Sequence, residues 1–114
     1  MLKRVSLVAA ALFAATPALA LAGASSFTVT NATDGALTAL SIRRIGTDNW
    51  QSLAASPAPG ASSSVAFSDP DCAFDLRANV AGRGTATWSG VNLCGTSRLT
   101  LRQRPSGETW VDYD

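Results

Sequence analysis

Asp69, Asp71 and Asp75 form the one carboxylate cluster of the chain, spaced Asp-x-Asp-x-x-x-Asp. Two chemistries could use it. A pair of acids flanking a sugar bond can hydrolyse it if their separation is right, and clustered carboxylate and carbonyl oxygens can hold calcium. The spacing lacks the glycine and the distal glutamate of an EF-hand loop, and a strand running through Asp75 turns that residue away from the other two. Asp69 and Asp71 flank Pro70, and aspartates beside a turn usually cap their own backbone or face water. Turn chemistry is thus the stronger reading, with Asp75 and Arg77 neighbours on one strand face.

Other catalytic constellations lack their parts. The chain has no histidine, so Ser-His-Asp and Cys-His arrangements cannot form. Its single lysine is Lys3, in the leader described below. The domain after that leader therefore has neither a Ser-Lys dyad nor a Schiff-base amine. No glycine-rich phosphate loop leads from a strand into a helix. The expectation is a protein that is not an enzyme and uses no cofactor.

Cys72 and Cys94 are the only cysteines. An even count in an exported domain implies a bridge, and a metal or redox site would need closer cysteines or histidine partners. Closing this loop should constrain the unfolded chain by roughly 3 kcal/mol. The remaining candidates are Trp50, Trp88 and Trp110, with Tyr113. Exposed aromatic faces stack on sugars, and tryptophan with arginine is typical of protein hot spots. Alternation puts Trp88 on the face of Ala86 and so in the core. Trp50 follows a turn and could face either way, and Trp110 stands near the chain end, where it can close the fold. Trp50, Asp69, Asp71 and Trp110 are the candidate binding residues. Two further signals have plainer readings. Asn31-Ala32-Thr33 matches a glycosylation sequon. Arg43-Arg44 with Arg98, Arg102 and Arg104 could form a basic patch, though alternating charges on solvent faces account for them as well.

The elements that must position these residues begin after an export signal, residues 1–22. Lys3 and Arg4 precede an apolar run, Val5 to Ala15, that ends at Thr16-Pro17. Ala18-x-Ala20, Ala20-x-Ala22 and Ala22-x-Ala24 offer peptidase spacings, with Ala20 and Ala22 the preferred cleavage points. The run is shorter than the roughly 20 residues that span a bilayer, and no second apolar segment approaches that length. Without Lys3 and Arg4, seven arginines face eight acids, net −1, which gives no pull on a phosphate backbone and argues against nucleic-acid binding. The expected destination is the periplasm or the medium.

Residues 23–114 read as one domain of short strands. Alternation marks Phe27–Asn31, Leu37–Arg44, Ser63–Phe67, Cys72–Arg77, Thr85–Leu93, Leu99–Leu101 and Thr109–Val111. Turn residues at 33–35, 46–49, 57–60, 68–71, 82–84 and 104–107 separate them. Trp50–Leu53 is either a strand or one helical turn. The expected fold is all-β, a small β-sandwich of seven or eight short antiparallel strands stapled by Cys72–Cys94. A small closed barrel is the alternative.

Phe27-x-Val29-x-Asn31, Asp48-x-Trp50, Pro59-Gly60-x-Ser62, Val65-x-Phe67, Cys72-x-Phe74-Asp75-Leu76-Arg77, Val91-Asn92-Leu93-Cys94 and Leu99-x-Leu101 follow one another in an order that resembles an uncharacterised family of small exported bacterial proteins. That resemblance covers nearly all of residues 23–114. It implies a signal peptide plus one disulfide-bonded β domain, and no activity. The functional expectation is a non-catalytic interaction module contacting another envelope or extracellular protein, with a carbohydrate- or calcium-binding module as the alternative.

Overall fold

Alternation decides which way each strand faces, and two irregularities keep the apolar residues on one side. The computed structural model describes residues 23–114, and the expected export signal, residues 1–22, lies outside them. Eight strands form: β1 (Ala24–Ala32), β2 (Leu37–Arg44), β3 (Gln51–Ser52), β4 (Ser62–Asp69), β5 (Ala73–Val80), β6 (Gly84–Asn92), β7 (Arg98–Gln103) and β8 (Thr109–Tyr113). Leu37, Leu40 and Ile42 would not share a face in a regular strand. A bulge between Thr38 and Ser41, with Ala39 at φ 52°, shifts the phase, and all three are buried. In β6 an extra residue falls opposite the Phe74–Leu76 step, and Gly90 takes the left-handed φ of 68° there. That bulge lets both Trp88 and Val91 point inward.

The strands build two four-stranded sheets, β4-β1-β7-β8 and β3-β2-β5-β6. One apolar core lies between them. Phe27, Val29, Val65, Leu99 and Leu101 come from the first sheet; Leu37, Ile42, Phe74, Leu76, Val80, Trp88 and Val91 come from the second. The arrangement is sandwich-like and all-β, as expected, with one correction. The first sheet is mixed, because β1 and β7 run parallel from Thr28↔Arg98 to Ala32↔Arg102. An alternating pattern carries no strand direction, and a parallel pair requires a long crossover. Here the crossover is most of the chain, β2 to β6.

The disulfide joins Cys72 to Cys94 as expected, but it does not sit among the strands' inward faces. Cys72 is exposed and precedes β5, and Cys94 follows β6. The bridge therefore clamps the open end of the β5–β6 hairpin, where the Leu93 N–H also donates to the Cys72 carbonyl at 2.9 Å.

Asn31 closes the other end of the molecule. It is completely buried. Its Nδ2 donates to the Gly35 and Pro57 carbonyls at 2.9 Å each, and its Oδ1 accepts the Thr33 N–H at 2.9 Å and the Thr33 hydroxyl at 2.6 Å. The sequon is thus a structural hub whose amide nitrogen is already occupied. Beside it, a Cβ on Gly35 would lie 2.2 Å from the Ala81 carbonyl oxygen, so no larger residue fits.

Candidate functional site

Two edges of the sheets remain to be covered, and they are treated differently. On the β6/β8 side, side chains stitch the sheets together. Trp88 Nε1 donates to the Arg102 carbonyl at 3.0 Å, the Thr109 hydroxyl to the Thr87 carbonyl at 2.6 Å, and the Asn92 N–H to the Tyr113 hydroxyl at 3.0 Å. On the β3/β4 side, β3 contributes only two residues, pairing at Ser41↔Ser52 and Ile42↔Gln51. Leu53, Ala55 and Pro57 cover part of what β3 leaves open. The remainder is a cleft of about 270 Å³.

The cleft has an apolar floor and a polar rim. Ile42, Phe67 and Phe74 line the floor, and Thr47, Asn49, Gln51, Arg43, Arg44 and Asp69 line the rim. Phe67 stands edge-on to Phe74 at 5.3 Å and to Phe27 at 6.1 Å, so its ring links the two sheets across the seam. Phe67 faces the seam with the same parity as Val65, as alternation predicts, and beside the β4 bulge opposite the Ser25–Phe27 step its N–H donates to the Ser26 hydroxyl at 3.2 Å. Ile45, in the turn after Arg44, is half-exposed.

Asp69 and Asp71 come together at the rim, on Arg44. The guanidinium donates to Asp69 through Nε and NH2 at 3.2 and 2.9 Å, and its Nε lies 3.2 Å from Asp71 Oδ2. Asp69 also accepts the Asp71 N–H at 2.8 Å, the turn-capping role expected of it. The Arg44 hydrogen bond, then the Asp71 N–H, hold the Asp69 carboxyl below the usual aspartate range, and Asp69 in return raises Arg44.

Asp75 belongs elsewhere. Instead of pairing with Arg77 in solvent, it is buried on the outer face of the second sheet. Its Oδ2 accepts Arg43 Nε at 3.0 Å, and its Oδ1 accepts the Gly90 N–H at 3.1 Å, supplied by the β6 bulge. Arg43 reaches Asp48 as well, at 3.2 Å. Trp50 roofs this group: the guanidinium carbons of Arg77 and Arg43 lie 3.9 and 4.5 Å from its ring centroid. Among the described residues, no three histidine, cysteine or acidic side chains are grouped so as to hold a metal ion.

Trp110 lies on β8, where the Arg104 guanidinium stacks over it at 4.7 Å and Arg102 pairs with Asp112 in the adjoining row. The structure therefore brings Asp69 and Asp71 together, and leaves Trp50 and Trp110 in separate clusters on different sheets. The basic patch does not form either. Arg43 and Arg44 sit on the second sheet, Arg98 and Arg102 on the first, and most of them hold an acid. Alternation placed Phe67, Phe74 and Ile42 on inward strand faces but gave them no part in a site. One signal could have found them: Phe67 and Phe74 flank the turn that carries the chain from one sheet to the other, so both had to face the seam.

No family model, curated protein or solved structure matches the chain. Function must be read from the geometry alone.

Proposed function

We propose that this protein is a non-catalytic, exported β-sandwich that binds an extended segment of another envelope or extracellular protein. The carrying observation is the cleft between the sheets, with its floor of Ile42, Phe67 and Phe74 and its polar rim. A space of about 270 Å³ lies below the range of typical small-molecule sites, and it suits one large apolar side chain. Buried apolar anchors ringed by polar contacts are the usual hot-spot arrangement. The eight residues of β4 form a sheet edge beside the cleft, so a guest strand could hydrogen-bond to the edge while one side chain enters. Calcium draws little support, since Arg44 already occupies oxygens of both Asp69 and Asp71. Sugar stacking draws little as well, because guanidinium groups lie over Trp50 and Trp110.

Export is supported by the leader pattern and by the disulfide, which persists in oxidising compartments. Cleavage after Ala20 or Ala22 keeps Gly23 and the buried Ala24, whose N–H donates to the Asp71 carbonyl at 3.2 Å. The test of the binding reading is selection from a displayed library of extended peptides, with Asn49→Trp as the blocked comparison. Peptides sharing one large apolar residue should be enriched by the natural protein and lose at least tenfold in affinity for the variant. A library yielding no binders, or binders indifferent to the variant, would overturn the assignment.

A further inference from the structure

We propose that Arg77, held flat by Trp50, is a carboxylate-recognition site for an acidic segment of a protein partner. The site lies on the outer face of the second sheet, apart from the cleft floor. It stands on a contrast between two neighbouring arginines. Arg43 is spent: Asp75 takes its Nε at 3.0 Å and Asp48 its terminal nitrogen at 3.2 Å. Arg77 makes no ion pair and donates no side-chain hydrogen bond among the described residues; its contact is the Trp50 ring, 3.9 Å away. Stacking fixes the plane of the guanidinium without using its N–H donors. A positioned fork of unused donors matches a carboxylate bidentately.

The neighbours suit that guest. The register sets Ser41 and Thr87 on either side of Arg77, on the same face, and directly opposed residues stand about 5 Å apart. The Ser41 hydroxyl donates to the Ala39 carbonyl at 3.1 Å, which leaves the exposed Thr87 as the neighbour able to add a donor to a bound carboxylate. Asp75, two residues away on the same face, is buried under Arg43 and turned toward the Gly90 N–H, and the exposed Asp48 carboxylate is paired with Arg43, so neither stands unpaired against an incoming charge. A glycan is the weaker guest, because the aromatic face it would stack on is under guanidinium groups.

The test is an NMR titration of the arginine Nε–Hε signals of the oxidised protein with tetraglutamate, against sodium chloride at matched ionic strength. The Arg77 signal should move and saturate with the peptide, while Arg98, exposed and without an aromatic platform, drifts without saturating. Arg77→Gln should abolish saturable binding, and Trp50→Leu, which keeps the charge, should weaken it about fivefold, the size of one exposed cation–π contact. An unchanged Trp88 indole signal certifies each variant as folded. Equal behaviour of Arg77 and Arg98, or saturation by oligoglucuronate and not by the peptide, would overturn the proposal. The Ile42 methyl reports the cleft separately, so failure here leaves the cleft reading standing.

Discussion

The two open edges of this small domain are finished in opposite ways. At β6/β8, a buried tryptophan and three side chain–backbone hydrogen bonds lock one sheet to the other. At β3/β4, a two-residue strand and a loop leave a gap floored by Phe67 and Phe74. The first edge spends its aromatic residue on stability, with Trp88 fully enclosed and its indole N–H satisfied. The second leaves Phe67 only partly covered. Binding surfaces come from the less tightly closed parts of a structure, since a guest must find area not yet buried. On the proposed reading, one edge of the core serves stability and the opposite edge serves recognition.

Truncation on the two sides breaks or sharpens that contrast most strongly. Trp88→Ala should cost about 3–5 kcal/mol, enough to unfold much of the population of a marginal domain, because it empties the closed edge. Phe67→Ala should cost roughly 2 kcal/mol, since half the ring already faces the cleft. Urea denaturation of both variants measures the gap; equal losses would erase the distinction. The disulfide falls between these two in size. Replacing both cysteines by serine should lower stability by about 3 kcal/mol while leaving the fold intact, because the bridge lies at the exposed hairpin end. Loss of the native near-ultraviolet spectrum at low temperature would show the bridge to be more central.

The smallest effect concerns the rim of the cleft. Arg44 holds the folded Asp69 carboxyl below its ordinary range, so the pair stabilises the fold above about pH 4 and stops doing so as pH falls through the folded value. Wild type should melt above Asp69→Asn at neutral pH, and the difference should shrink as pH falls below about 4. A constant difference across that range would mean that the charge is not what matters at this position.

Much of the closed edge was legible in the sequence. Period-two alternation placed Trp88 beside Ala86 and therefore inward, and an even cysteine count behind an expected export signal pointed to the bridge. The open edge was legible only in part. Alternation placed Phe67 inward beside Val65, and Phe74 beside Leu76, but it could not show that a two-residue β3 leaves those rings at an open seam. Asp75 reads as a solvent residue because it alternates with Phe74 and Leu76. It is buried only because Arg43 from β2, the Gly90 N–H from β6 and the turn carrying Trp50 converge on it, all contacts set by register. The parallel β1–β7 pairing and the Asn31 hub were hidden for the same reason. Each joins residues whose meeting depends on how the whole chain crosses between sheets.

The most direct measurement uses an accident of composition. Ile42 and Ile45 are the only isoleucines in the chain; Ile42 lines the cleft and Ile45 is half-exposed in the turn after Arg44. A methyl-labelled sample therefore reports the cleft with one uncrowded signal, while the indole N–H groups of Trp88 and Trp110 report the opposite side. Titration with N-acetylphenylalaninamide, a single aromatic side chain on a peptide backbone, should move the Ile42 methyl to a saturating value, leave both indole signals in place, and fail in Asn49→Trp. An unmoved Ile42 methyl, or a saturable shift at Trp110 instead, would contradict the assignment of recognition to the open edge.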